Sequence, residues 1–219
     1  VSQVIPVLQE FMEHEKKAVQ IERFDSALIS VDPRLSVKNI EDRNNWDYIY
    51  LTKELAHFEG GKFANIRKKL NRFEKEHPVE FKRFDKHQID VCLAMQEEWC
   101  AMRRCDEYDD LKDEHQAIRE IVELWDILKF DGGLLYTNGK VIAYTLGELL
   151  NPNTLVCHVE KANPLFDGAY QAITKRFNAL YENKTEFTNR EQDLGDEGLR
   201  TAKERLHPVK FIEKVKVFL

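Results

Sequence analysis

Apolar residues recur along this chain with two periods, and the switches between them mark the elements. Residues 3–18 begin with an apolar patch and carry Leu8, Phe11 and Met12 on one face, which predicts an amphipathic helix. VQIERF (19–24) alternates, and WDYIYL (46–51) is aromatic and β-branched, so both predict strands. Asp32-Pro33 between them signals a turn. Thr52 opens a helix with Leu55 and Phe58 inward, and Gly60-Gly61 breaks it. In KFANIRKKLNRFEKEH (62–77), Phe63, Ile66, Leu70 and Phe73 share a helical face, and His77-Pro78 stops it. VEFKRF (79–84) predicts a strand. Helices follow over about 86–104, with Ile89, Leu93, Gln96 and Trp99 in step, and over about 113–128, with Ile118, Ile121, Val122 and Leu124-Trp125.

The period then changes to two. GGLLYT (132–137), Asn138-Gly139 and KVIAYTLGELL (140–150) predict a hairpin, because Asn-Gly suits a turn with positive φ at both central residues. TLVCHVEKA (154–162) predicts a third strand, covered on both faces. A helix is predicted at 168–182, a short strand at 185–188, a loop and helix at about 195–206, and a closing strand at 209–219. There is no short-period repeat and no low-complexity segment.

Composition narrows the class. The 219 residues suffice for one large domain or two small ones, and 42% hydrophobic residues with 13 Phe support a buried core. The net charge of −6 argues against a dedicated nucleic-acid coat. Yet residues 62–87 hold nine Lys and Arg against four Asp and Glu, a local charge of about +5. That stretch is either a solvated helix face or a docking surface for phosphates or RNA. No run approaches the roughly 18 apolar residues of a membrane span, and no signal peptide is evident, so a cytoplasmic protein is expected. The first residue is Val, which suggests a fragment or processed chain. Cys92, Cys100, Cys105 and Cys157 form no CxxC pair and are expected to be reduced. The scattered histidines make a zinc site unexpected, and CDEYDDLKDEH (105–115) lacks the central Gly of a calcium loop. It reads as a solvated loop leading into a helix. No metal is expected.

From residue 79 the order strand, helix, helix, three strands, helix, strand, helix, strand is the layout of a GNAT-type acyltransferase. Motifs strengthen this. DYIYLTKELAHFEGGKF (47–63), IRKKLNRF (66–73), HVEKAN (158–163), GAYQAI (168–173), NREQDLGDEGLRTAK (189–203) and His207-Pro208 together span about 47–208. With these pieces the chain resembles the family of the C-terminal domain of phosphatidylglycerol lysyltransferase, including its stand-alone bacterial members. The polar run at 189–203 is the most specific of them.

The resemblance implies an α+β, GNAT-like acyltransferase fold with a mixed sheet, two such domains in tandem, and kinship with Fem-type aminoacyl-transferring enzymes. Residues 1–78 would be a partial first domain and 79–219 a complete second one. Two positions depart from the family pattern. Ile66-Arg67-Lys68 stands where Lys-Arg-Asn is usual, and Leu206 stands where an aromatic usually precedes the final His/Arg-Pro. Substrate preference is the property these departures touch.

Acyl transfer requires a proton acceptor for the nucleophile, donors for the oxyanion and a proton or charge for the leaving group. In this frame Glu191 or Glu160 takes the proton and Asn189 donates to the oxyanion. Asp193 binds an aminoacyl ammonium, and Arg190 and Arg200 hold a phosphate. Lys203, Lys161, Tyr170 and Arg67 complete the expected substrate contacts, Tyr170 as a donor to the leaving group or as packing. Gly168 either lets a ligand approach the start of the helix or is a simple loop glycine. Asp167, as an expected N-cap, would compete with a phosphate there and weighs against coenzyme A. Gly195 and Gly198 would let the turn close. The competing reading makes Arg190, Glu191, Asp193 and Arg200 an ion-pair network that fixes the last helix.

Three functions follow. The first is transfer of an aminoacyl group from charged tRNA to a lipid or small amine or hydroxyl acceptor, with no bound cofactor and the basic helix 62–75 as the surface for the donor. The second is acyl-CoA-dependent N-acyl transfer. The third is a non-catalytic GNAT-like binding module. The oligomeric state is open.

Overall fold

The computed structural model describes residues 4–15, 18–32, 35 and 38–218. Pro33, half of the predicted turn, lies outside them, as do Lys16 and Lys17 near the end of the first predicted helix. In chain order the elements are α1 (Val4–Glu15), β1 (Gln20–Asp25), β2 (Asn39–Glu41), β3 (Asp47–Leu51), α2 (Thr52–His57), α3 (Ala64–Glu76), β4 (Val79–Arg83), α4 (Ile89–Arg103), α5 (Asp109–Glu123) and α6 (Trp125–Leu128). They continue with β5 (Asp131–Thr137), β6 (Lys140–Asn151), β7 (Thr154–Ala162), α7 (Ala169–Ala179), β8 (Phe187–Asn189), α8 (Glu197–Glu204), β9 (Lys210–Ile212) and β10 (Lys214–Phe218).

Contacts divide the chain into two compact units, one of residues 1–49 with 190–219, the other of residues 50–189. The cut expected after residue 78 falls inside the second unit. The reason is packing: α3 is bound into that unit by α7, where Gly168 lies against Phe73 and Arg176 pairs with Glu74 at 2.7 Å.

The first unit contains an antiparallel sheet in the order β1-β10-β2. Ile5 of α1 packs with Leu35, Val215 and Val217 as its core. β3 pairs antiparallel with β9 in the same unit, Asp47 opposite Ile212 and Ile49 opposite Lys210. The closing strand predicted over 209–219 is thus two strands broken at Glu213, β9 paired with β3 and β10 with both β1 and β2. β2, exposed along its three residues, has no apolar pattern to announce it.

The second unit carries strands β4-β5-β6-β7 in antiparallel succession, with β8 added parallel to β7. The Asn138-Gly139 turn joins β5 to β6 with φ of 49° and 77°, as its chemistry demands. Helices α4 and α5 cover one core, which includes Trp99, Ile118, Val122, Leu134 and Tyr144. α5 starts earlier than predicted, with Asp109 and Asp110 in its first turn, where carboxylates suit the helix dipole. The predicted 113–128 helix is divided at Leu124. β7 pairs with β8 over Thr154–Val156 and runs six residues beyond that register to Ala162. Cys100 and Cys105 form a disulfide, which corrects the expectation of four reduced cysteines. They meet because α4 ends in a left-handed residue, Arg104, that folds the chain back.

Candidate functional site

In the first unit, the polar run closes around Asp193. Its carboxylate has no exposed surface. Arg200 donates to both oxygens, Nε to Oδ2 at 2.8 Å and Nη2 to Oδ1 at 2.9 Å. The Tyr48 hydroxyl donates at 2.5 Å, the Gly195 N–H at 2.8 Å and Arg43 at 3.3 Å. Burial alone would raise this carboxyl, but the hydrogen bonds from Arg200, Tyr48 and Gly195 outweigh it and hold it well below the usual carboxylate range. Five donors fill the capacity of one carboxylate. Asp193 and Arg200, expected to hold an ammonium and a phosphate, are therefore bound to each other.

This network fixes a turn of unusual backbone. Glu191 and Leu194 have φ of 54° and 55° and Gly195 has 83°. A side chain on Gly195 would strike Asn44. The Arg190 N–H donates to the Tyr48 carbonyl at 3.0 Å, and the Tyr48 N–H to the Glu191 carbonyl at 3.1 Å. Lys203 of α8 donates to the Arg190 carbonyl and, at 3.4 Å, to that of Glu191. Its ammonium thus serves the backbone. Asp196 caps α8 through the Leu199 N–H at 2.6 Å. Strained non-glycine residues held by surrounding bonds are characteristic of functional turns. Sequence reasoning missed Arg43 and Tyr48, which lie some 150 residues from Asp193 in the chain.

The second unit holds Glu160 and Lys161 at the end of β7. Neighbours on a strand face opposite ways, and the two side chains go to different helices. Glu160 accepts from Thr174 Oγ1 of α7 at 2.7 Å. Thr174 in turn belongs to a buried relay, since its carbonyl accepts from Asn178, whose Oδ1 accepts from Thr188, which meets Thr52 at 3.0 Å. Lys161 lies with its ammonium 4.0 Å from the Trp99 ring centre and 2.6 Å from Glu114 of α5. Burial lowers its pKa and Glu114 opposes that shift. Tyr170, in the first turn of α7, is pushed up by burial, offset in part by its hydrogen bond to the Ala162 backbone, while the charge of Glu160 raises it further. Asn189 is buried at the end of β8. Neither Glu114 nor Trp99 was legible as a partner of Lys161, because nothing in an i, i+n pattern links α4 and α5 to β7.

Three expectations change around α7. Gly168, with φ 123°, begins the helix, and a Cβ there would lie 2.5 Å from that of Phe73, so close helix packing demands a glycine. Asp167 does not cap the helix; its carboxylate pairs with Lys69 at 2.5 Å and with Arg72. The argument against a phosphate at this helix start therefore lapses. Arg67 donates to the carbonyls of Phe58 and Gly60 at 2.5 and 2.6 Å, where α2 ends, and is committed to the fold. Among the described residues, no group of three His, Cys, Asp or Glu side chains is placed to hold a metal.

A mixed α+β sheet with a parallel β7–β8 pair, joined by a helix beginning at a glycine, is of the GNAT-like acyltransferase fold, and the chain is a transferase of that fold. The chain belongs to the family of phosphatidylglycerol lysyltransferase C-terminal domains, whose model matches residues 11–218. It is 35% identical to a conserved protein of unknown function from Bacteroides thetaiotaomicron VPI-5482, covering 99% of this chain and 75% of that one with a TM-score of 0.93. The C-terminal domain of a lysylphosphatidylglycerol synthetase from Agrobacterium fabrum is similar at 14% identity, over 96% of this chain and 71% of that one, with a TM-score of 0.66. L-PGS from Bacillus licheniformis is similar at 16% identity, over 98% and 72%, with a TM-score of 0.64. Among curated proteins, none matches this chain's sequence. No helix among the described residues is long and apolar enough to cross a membrane.

Proposed function

We propose that the protein transfers an aminoacyl group from charged tRNA to a lipid or small amine or hydroxyl acceptor. Membership of the lysyltransferase family over residues 11–218 carries this reading. The acceptor attacks the ester carbonyl, the new bond forms at that carbon, and the ester bond to ribose breaks. Glu160, oriented by Thr174, takes the acceptor's proton. Lys161 points to the other face of β7, where Glu114 and Trp99 hold its ammonium and it fixes the strand end. Tyr170, kept protonated by burial, gives its proton to the departing ribose oxygen. In the first unit, Asp193, Arg200 and Lys203 position the turn that bears Arg190 and Glu191. The basic face of α3 receives the tRNA backbone.

The test is transfer of radiolabelled amino acid from a mixed pool of aminoacyl-tRNAs to phosphatidylglycerol vesicles or small amines, with the whole chain as enzyme. Label appearing in an acceptor, and lost in Glu160→Gln, supports the reading. Label remaining on tRNA, while acetyl-coenzyme A supports acylation of an amine, establishes the second reading instead. That alternative is favoured by one observation: Lys69 and Arg72 neutralise Asp167 beside the uncapped start of α7.

A further inference from the structure

Two cysteines, a histidine and a glutamate meet where α4 ends, and none has a role above. The helix stops because Arg104 enters the left-handed region, φ 57°, with its N–H on the Cys100 carbonyl. Such an ending brings the second residue beyond the helix back over its last turn. That residue is Cys105, and it closes on Cys100 as a disulfide. α5 then delivers His115, whose Nδ1 lies 3.5 Å from Cys100 Sγ and whose Nε2 lies 3.4 Å from Glu97. Arg119 shares Glu97 at 3.1 Å. Gln96 places Nε2 3.5 Å from the same sulfur and is held in the core by the Tyr144 hydroxyl at 2.5 Å.

Sulfur, imidazole and carboxylate in succession is the arrangement that deprotonates a thiol and steadies the resulting imidazolium. Nearby cations do not compete for the sulfur, since Arg104 pairs with Glu107 and Lys112 with Asp109. A cavity of about 450 Å³, lined by both cysteines and His115, gives access. That volume lies within the range of small-molecule sites.

We propose that Cys100–Cys105 is a thiol–disulfide exchange site for small thiols, with Cys100 as the activated sulfur and His115 as its proton partner. In reduction, the thiolate of a small dithiol attacks Cys105 Sγ. The protein S–S bond breaks, a mixed disulfide forms on Cys105, and Cys100 leaves as a thiolate beside His115. The second thiolate of the reductant then attacks its own sulfur in that mixed disulfide. Cys105 leaves and takes a proton from solvent, and the reductant departs as a cyclic disulfide. Two electrons pass to the protein. A small disulfide reverses the exchange.

The experiment uses the whole chain, reduced with dithiothreitol, desalted and pulsed with iodoacetamide at pH 7, with each cysteine read by peptide mass spectrometry. An ordinary thiol is only a few per cent thiolate at that pH, so Cys100 should react about tenfold faster than free glutathione, its lower intrinsic nucleophilicity included. Buried Cys92, pushed up to about 12, is the slow internal control. His115→Asn should return Cys100 to the ordinary rate, and Cys105→Ser should leave it fast. Glutathione disulfide should restore the Cys100–Cys105 linkage. The proposal is overturned if Cys100 reacts no faster than glutathione in both the reduced wild type and Cys105→Ser. An unchanged rate in His115→Asn, or no linkage re-formed, overturns it equally.

Discussion

Arg200 grips Asp193 through both carboxylate oxygens, at 2.8 and 2.9 Å, and the carboxylate so held is wholly out of contact with water. Its partners come from three places in the chain: Arg43 and Tyr48 near β3, Gly195 in the turn, and Arg200 on α8. A bidentate guanidinium with a buried phenol and an amide is a geometric lock more than a source of net stability. What it locks is the 190–195 turn, with two non-glycine residues at positive φ.

Replacing Asp193 with Asn should show that lock. Removing the charge leaves Arg200 and Arg43, both part-exposed, facing a neutral amide and should lower stability. Urea unfolding measures it. The sign with pH follows from the depressed carboxyl. Its contribution is fully present above the unfolded-state value, near 4, and is lost as pH falls toward the folded-state value. Wild-type stability should therefore drop between about pH 5 and 2, with a shallower drop in Asp193→Asn. An identical acid limb in the two proteins would exclude the network as a source of stability.

Gly168→Ala should destabilise by about 2–3 kcal/mol, combining an overpacked contact with a backbone conformation that alanine resists. The new Cβ would meet Phe73 at 2.5 Å at φ 123°. Gly61→Ala is the control, because nothing lies within 4 Å of a Cβ there. Equal melting temperatures for the two variants would refute the packing role.

The contrast between these positions shows what the sequence could carry. Periodicity placed β5, β6 and the Asn138-Gly139 turn, because alternation and turn chemistry are local. The 189–203 run was legible as a cluster of polar groups around glycines, yet its inward direction was not. Asp193 faces Tyr48 and Arg43 from distant segments, and only tertiary structure decides whether a carboxylate meets a ligand or its own chain. The Glu160-Lys161 pair was legible as a pair of opposite charges at a strand end. Their assignment to different helices follows from strand alternation, but the identity of Glu114 and Thr174 as partners does not.

Thr174→Val tests the positioning of Glu160. Valine keeps the shape and loses the hydroxyl that donates at 2.7 Å. Transfer should fall about tenfold in kcat with little change in KM, and Thr174→Ser should recover most of the rate. Glu160→Gln should fall further, by about 100-fold, the effect of removing a general base. Steady-state kinetics with circular dichroism checks both. Thr174→Ser behaving like Thr174→Val would show that packing, not the hydrogen bond, matters there.

The donor surface can be tested through the cations of α3. Lys69 and Arg72 are paired with Asp167, and Arg67 is held by backbone carbonyls, so the local charge counted from sequence overstates what a phosphate backbone would meet. Lys68 and Lys75 are exposed. If they contact tRNA phosphates, each contributes to counterion release, and the double variant Lys68→Gln with Lys75→Gln should weaken binding and lower the slope of log affinity against log salt by about 2. Filter binding of tRNA over a salt series measures this, and the fold should be unaffected because neither residue is buried. Asp167→Asn makes the opposite prediction. It releases Lys69 and Arg72 for phosphate, so binding should tighten at low salt and become more salt-dependent. A slope unchanged in both variants would remove α3 from the donor surface while leaving the chemistry at Glu160 to stand or fall on its own kinetics.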